Sequence, residues 1–185
     1  TLQEWQIIMM KNQTVKTHPT LTIIKYGNPF LRRKVVDVTD FELIPKMAGQ
    51  MFDTMYEERG IGLAANQVGW GINLMVIDTG IMEDEELSEP FVIINSKIVK
   101  EHGSKTMEEG CLSVPDIRAE ITRPEIITLQ YQDLEENYLN KTFYLVDENK
   151  NIKAIFKNII KYIKMVGDYS HKKLLYFNGL SSFIH

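Results

Sequence analysis

The 185-residue chain has only one cysteine, Cys111. A single thiol cannot form an internal disulfide, so the sequence lacks the mark of a disulfide-stapled secreted domain and fits a reducing, cytosol-like compartment. The chain also lacks a large excess of charge of either sign, since its net charge is −4. This charge gives no indication of binding to nucleic acid or to an anionic membrane. Long apolar runs are missing too, and the stretch from Trp5 to Met10 is too short to span a bilayer. We therefore expect no nucleic-acid binding and no membrane span.

The length and the 44% hydrophobic content fit one globular domain with one core. We expect a loose tail over residues 1–20 and a single domain over 21–185. The tail has no basic start or small-residue cleavage site, and Met9 or Met10 could be the true start of the protein.

Apolar periodicity predicts the main elements of this domain. Apolar residues recur at helical spacing from Phe41 to Arg59, Pro45 fits only the first turn, and Gly60 ends the pattern. Stretches rich in β-branched residues predict six strands. Their approximate ranges are 21–25, 72–78, 91–99, 119–123, 125–133 and 138–146. Consecutive strands with few helices indicate the α+β class, with antiparallel sheets.

The composition changes near Asn149. From there to His185 the chain has seven lysines and one acid, Asp168, which gives a local net charge of about +6. Isoleucines recur on one helical face between residues 150 and 166, and lysines on the other. A basic amphipathic helix of this kind packs its apolar face on the core of its own domain or lies on a membrane surface. We expect the first arrangement.

Two short stretches stand out chemically. "GIGLAANQVG", from Gly60 to Gly69, combines residues that allow close backbone approach with the carboxamides of Asn66 and Gln67. "EGCLS", from Glu109 to Ser113, contains the single thiol. Taken separately, the first fits an ordinary small-residue turn and the second a small buried hydrophobe.

Taken together, the two stretches resemble the signatures of the peptide deformylase family. Gly60-Ile-Gly-Leu-Ala-Ala-Asn-Gln67 is similar to the family's first motif, G-x-G-x-A-A-x-Q, and Glu109-Gly-Cys-Leu-Ser113 to its second, E-G-C-L-S. "IIKYGNPFLRR" and "VPDIRAEITRP" also resemble the family's segments at these places. The resemblance covers roughly residues 21–143.

The resemblance implies a peptide deformylase-like fold, with antiparallel sheets packed around a C-terminal helix. It also implies hydrolysis of the formyl group from the N-terminal formyl-methionine of nascent polypeptides. The family uses a divalent metal, usually Fe²⁺, with Zn²⁺ or Ni²⁺ as alternatives. One cysteine and two histidines of a helical H-E-x-x-H hold the metal, which activates water, and the glutamate moves the proton.

The family roles transfer to particular residues of this chain. Cys111 corresponds to the metal ligand, while the Gln67 carboxamide and the Leu112 backbone N–H correspond to the donors that stabilise the oxyanion. Ile61 and Gly62 correspond to the wall of a groove in which the peptide adds as an extended strand. Arg118 stands where the family has an arginine near the substrate, although an exposed structural salt bridge fits it equally well.

The sequence departs from the family after Phe143, and residues from about 144 onward diverge. There is no H-E-x-x-H, and none of the four histidines lies four residues from another. His171, followed by Asn178 and Gly179, is a faint echo of the third motif.

Several alternatives remain open from the sequence. In the first, the coding sequence after about Phe143 is shifted out of frame or reads through an unspliced segment. In the second, the protein is a catalytically inactive member of the family that still binds peptides. In the third, His171 and another ligand rebuild a metal site. A cysteine–histidine thiol hydrolase is a further class, without a recognisable histidine signature. The expected partners are formyl-methionyl nascent peptides and the ribosome exit region. The expected location is the cytoplasm, of bacterial type, or an organelle of bacterial descent.

Overall fold

The computed structural model describes residues 18–78 and 90–144. One helix, α1 (Ile44–Glu57), lies before all the strands. Its first turn contains Pro45, as predicted, because proline at this position sacrifices no helical hydrogen bond. After the helix, the Gly60 N–H donates to the Met55 carbonyl at 2.8 Å. The predicted helix is therefore confirmed, with ends that lie inside the range expected from the sequence.

Among the described residues, seven strands follow the helix. They are β1 (Gly62–Ala64), β2 (Leu74–Ile77), β3 (Phe91–His102), β4 (Lys105–Cys111), β5 (Val114–Arg123), β6 (Ile126–Gln132) and β7 (Tyr138–Tyr144). The first sheet has five strands in the order β1-β2-β3-β6-β7, and β4 and β5 form a separate two-stranded sheet. Every pair of neighbouring strands is antiparallel. The α+β class with antiparallel sheets is confirmed.

The core lies between α1 and the start of the five-stranded sheet. Met51 and Met55 of α1 are fully buried, as are Leu63 of β1 and Leu74 of β2, and all four belong to one apolar cluster. Burial of each of these side chains contributes roughly 1.5–3 kcal/mol. The helix thus fixes the position of β1 and of the glycine-rich stretch that contains it.

The β4–β5 hairpin leaves the first sheet between β3 and β6, which pair with each other. Gly103 adopts a φ of +70° at the corner, where an added Cβ would meet the side chain of Glu125. Pro124, which cannot donate to a ladder, separates β5 from β6. The hairpin is therefore an extension of the β3–β6 ladder that bends away from the sheet.

The described structure differs from the sequence prediction at three places: one predicted strand does not form, and two strands form that were not predicted. No strand forms over residues 21–25. Instead, the N–H groups of Ile24 and of the nearby Tyr26 donate main-chain hydrogen bonds to two separate partners, Gln67 and Ser113. Conversely, β1 and β4 were not predicted, since β1 has only three residues and β4 is rich in Lys, Glu and Gly.

Two predicted segments fall mainly outside the described residues. The helix over residues 150–166 is one of them. The expected tail over 1–20 is the other, and only its last three residues are described. Within these three, the backbone N–H of His18 donates to Asp53 Oδ2 of α1 at 2.8 Å.

Candidate active site

The glycine-rich stretch forms a buried corner after α1. Its three-residue strand β1 is entirely buried, and a short 3₁₀ turn (Ala65–Val68) follows. Gly69 closes this turn with a φ of +86°, a conformation that glycine adopts without steric cost. The small residues let this main chain lie directly against its neighbours, and the turn directs the Gln67 side chain into the interior.

The Gln67 carboxamide has a fixed orientation. Its Oε1 accepts a hydrogen bond from the Ala64 backbone N–H at 3.0 Å. Since a backbone N–H can only donate, this bond assigns the oxygen end of the amide and leaves Nε2 pointing the other way. Nε2 donates to Ser113 Oγ at 3.1 Å and lies 4.0 Å from Cys111 Sγ. Gln67 is fully buried, so this donor is held in place before any ligand arrives.

The cysteine lies at the end of β4, where the chain reverses into β5. Cys111 pairs with Val114, so Leu112 and Ser113 form a two-residue turn. The Cys111 thiol is free and half-buried. Two residues earlier, Glu109 forms a bidentate ion pair with Arg123 of β5, at 3.0 and 3.2 Å. This pair ties the two strands together directly beside the segment that carries the thiol.

The two stretches contact each other although more than 40 residues separate them in the sequence. Besides the contacts of Gln67, the Leu112 side chain packs on Gly60, where an added Cβ would lie 2.7 Å from Leu112 Cδ1. Gly60 is therefore needed for close approach. The structure thus brings Gln67, Cys111 and Leu112 together.

Ile61 and Gly62 lie at the β1 end of the five-stranded sheet. The Asp78 N–H donates to the Ile61 carbonyl at 3.1 Å, and alternation along an antiparallel ladder then directs the Gly62 N–H and carbonyl away from β2. Asp78 Oδ2 in turn accepts from Tyr56 Oη at 2.7 Å. Burial, followed by the hydrogen bond to Asp78, raises the pKa of Tyr56, so its hydroxyl stays protonated and acts as the donor.

Arg118 lies on the outer face of the β4–β5 hairpin. Its guanidinium contacts Glu108 at 3.3 Å, and the two side chains are 70% and 62% exposed. Arg118 therefore forms the exposed salt bridge that the sequence left open as an alternative. It lies on the same hairpin as Cys111, with its charged group in solvent.

Sequence reasoning predicted a strand around the segment Ile24–Tyr26 but no part for this segment in the site. The Ile24 N–H donates to the Gln67 carbonyl and the Tyr26 N–H to the Ser113 carbonyl, each at 2.7 Å. Between them, Lys25 Nζ donates to the Leu112 carbonyl at 3.1 Å. The segment thus joins both motifs. Main-chain bonds across such separations leave no pattern in a single sequence, which explains why they were missed.

The described residues do not fit a three-ligand metal site. Within residues 18–78 and 90–144, no group of three or more His, Cys, Asp and Glu side chains could hold a metal ion. Cys111 could contribute one thiolate, and the predicted candidate His171 lies outside the described residues. Across these residues the site therefore consists of a thiol, a fixed carboxamide donor and the outermost strand of the sheet, β1.

Comparison with known proteins agrees with this arrangement. The profile of the family described as polypeptide deformylase matches residues 20–146. A peptide deformylase from Chlorobaculum tepidum is 43% identical over 114 residues, which cover 61% of this chain and 61% of the relative. One from Acidobacterium capsulatum is 37% identical over 145 residues, covering 73% of this chain and 84% of the relative. The match thus spans about three fifths of the Chlorobaculum protein's length.

Solved structures give the same result. The crystal structure of peptide deformylase from Thermotoga maritima matches with a TM-score of 0.67 and 32% identity, covering 80% of this chain and 95% of that one. A peptide deformylase from Legionella pneumophila matches with a TM-score of 0.67 and 30% identity, covering 89% and 95%. The fold and the paired motifs are those of the deformylase class. The chain belongs to the polypeptide deformylase family.

Proposed function

We propose that this protein recognises the N-terminal formyl-methionine of nascent polypeptides, and that its scaffold is that of an enzyme which removes the formyl group by hydrolysis when a metal-binding H-E-x-x-H segment is present. The observation that carries the proposal is the position of Gln67 Nε2, between Ser113 Oγ and Cys111 Sγ. An amide nitrogen has two donor hydrogens, so one serves Ser113 and the other is directed toward the thiol side. A formyl oxygen placed there would meet a buried donor that needs no reorganisation.

Leu112 and the edge of β1 complete the proposed substrate contacts. The Leu112 N–H belongs to the turn that Gln67 holds, and we assign it as the second donor to the oxyanion. Ile61 and Gly62 lie at the sheet edge, where an extended peptide would add as a further strand. Arg118 is exposed on the hairpin and is assigned to contacts with the substrate chain beyond its first residue.

Hydrolysis needs groups that the described residues do not supply. Formamide bonds react slowly with water, and the family accelerates this reaction with a divalent metal that activates water and a glutamate that moves the proton. The 185-residue sequence contains no H-E-x-x-H, so we derive no step through a metal. We expect this sequence to bind Fe²⁺, Zn²⁺ or Ni²⁺ poorly.

The proposed location of the protein is the bacterial-type cytoplasm or an organelle of bacterial descent, near the ribosome exit. Among the described residues, no helix is long and apolar enough to cross a bilayer.

Formate release from an N-formyl-methionyl tripeptide tests the proposal. We expect the unchanged protein to release formate at a rate close to that of its Cys111→Ala variant. A version with a family-type H-E-x-x-H segment after Phe143 should gain both metal binding and deformylation. Metal-dependent release by the unchanged sequence, abolished by Cys111→Ala, would show that residues beyond 144 supply ligands that the sequence did not reveal.

The alternative function is a peptide-binding protein without catalysis. It would use the same donors and the same strand edge but no metal. If the version with H-E-x-x-H binds metal and formyl-peptide but releases no formate, the scaffold is not catalytic and this alternative is favoured.

A further inference from the structure

The turn that carries the proposed oxyanion donor has an unusual form for a hairpin. Its central residues are Leu112 and Ser113, and neither has a positive φ. Of turn types I, II, I′ and II′, only type I has no positive φ at either central position. Two-residue hairpins favour the primed types, because their twist matches that of the flanking strands. The register of this hairpin also shifts between Gly110 and Cys111, opposite the part of β5 in which Asp116 has a φ of +62°.

Contacts from outside the hairpin hold the turn in this form. Ser113 receives the Gln67 Nε2 donor on its hydroxyl and the Tyr26 N–H on its carbonyl. The Leu112 carbonyl accepts from Lys25 Nζ at 3.1 Å. This carbonyl belongs to the central peptide of the turn, the group that rotates when a type I turn converts to type II. Lys25 is therefore bonded to the one peptide whose rotation would rearrange the turn.

We propose that Lys25 is a positioning residue, which holds the Leu112–Ser113 peptide and thereby the turn, so that the preceding Cys111–Leu112 peptide, which carries the Leu112 N–H, keeps its place. Lysine suits this task because its ammonium group only donates and therefore needs a carbonyl oxygen turned toward it. Rotation of the central peptide would turn that oxygen away. The consequence for substrate rests on the proposed function, whereas the effect on the turn does not.

The thiol itself provides a measurement of the turn. Cys111 is the only cysteine of the chain, so the rate of labelling by a disulfide reagent at fixed pH reports on this position alone. Loss of one hydrogen bond changes a local equilibrium by roughly 2- to 10-fold. We expect Lys25→Met to increase the labelling rate by about that factor. Lys25→Arg keeps the donor and should stay close to the original rate.

Two controls separate positioning from general loosening. Lys34→Met removes another exposed lysine, which lies outside the segment Ile24–Tyr26, and should leave the labelling rate of Cys111 unchanged. The urea midpoint of Lys25→Met should also stay close to that of the original protein, because the bond lies at the surface. An unchanged rate in Lys25→Met, an equal increase in Lys34→Met, or failure of Lys25→Arg to restore the rate would overturn the proposal.

Binding of the N-formyl-methionyl tripeptide distinguishes this proposal from the proposed function. If Lys25 positions the turn that binds the substrate, Lys25→Met should weaken binding by a factor similar to its effect on labelling. If the unchanged protein binds no formyl-peptide, the proposed function fails, and the labelling rates still decide the role of Lys25.

Discussion

Two arginine–glutamate pairs on the same hairpin differ sharply in environment. Glu108 and Glu109 are consecutive, so their side chains point to opposite faces of β4. The Glu109–Arg123 pair is bidentate, with side chains only 7% and 11% exposed. The Glu108–Arg118 pair is single and mostly exposed. Loss of one partner of the inner pair would therefore leave a buried charge on the hairpin that carries Cys111, while the outer pair leaves Arg118 accessible to a ligand.

The largest expected effect is on the inner pair. Arg123→Met leaves the Glu109 carboxylate buried without its partner, which costs about 3–5 kcal/mol in the free energy of unfolding. Urea denaturation measures this loss. Adding Glu109→Gln to Arg123→Met should recover part of it, because the uncompensated charge is gone. Equal stability of Arg123→Met and the original protein would mean that the inner pair does not anchor the hairpin.

Next comes the contact between the two motifs. Gly60→Ala places a Cβ against Leu112, whose side chain must shift, and overpacking of this kind costs roughly 1–3 kcal/mol. Gly110→Ala, on the hairpin that carries Leu112, is the matched control, since no atom of the described residues lies within 4 Å of an added Cβ there. Urea midpoints compare the two variants. A loss in Gly110→Ala equal to that in Gly60→Ala would contradict the close approach of the two motifs.

A smaller effect is expected at Ser113. Ser113→Ala removes the acceptor of Gln67 Nε2 and should cost about 1 kcal/mol in the free energy of unfolding. The same change frees one donor hydrogen of Gln67, so affinity for the N-formyl-methionyl tripeptide should be kept or increased. Calorimetric titration measures the affinity. Complete loss of binding with an unchanged unfolding midpoint would indicate that Ser113 itself contacts the substrate.

The smallest effect on stability belongs to the outer pair. Arg118→Met should change the free energy of unfolding by about 0–1 kcal/mol, as is usual for exposed ion pairs. Affinity for formyl-peptides longer than one residue should nevertheless fall, since Arg118 is assigned to the substrate chain. Glu108→Gln is the control, which removes the ion pair and keeps the arginine. Equal affinities in Arg118→Met and the original protein would restrict Arg118 to a structural role.

Much of the fold followed from residue patterns. Apolar spacing predicted α1, and β-branched runs predicted β2, β3, β6 and β7, because these elements bury side chains in a regular order. β4 has no such order. Its Lys105, Glu108 and Glu109 disfavour a strand by propensity, and it forms one through pairing with β5. Tertiary contact decided that element, so sequence alone could not predict it.

The candidate site shows the same division. The motif resemblance pointed to Gln67, Cys111 and Leu112 as neighbours, and the structure brings them together. The contribution of Lys25 was not predictable, since 87 residues separate it from Leu112 and a single exposed lysine has many possible roles. The opposite environments of Glu108 and Glu109 depend on which face of the hairpin meets the core, and charged residues alone do not specify this.

Calorimetric comparison of formylated and unformylated methionyl tripeptides tests the central claim most directly. The claim is that the buried Gln67 carboxamide is a preformed donor for the formyl oxygen. We predict that the protein prefers the formylated peptide by about tenfold or more, the value of one well-made hydrogen bond, and that Gln67→Met abolishes this preference. Equal affinity for the two peptides, or a preference that survives in Gln67→Met, would contradict the account.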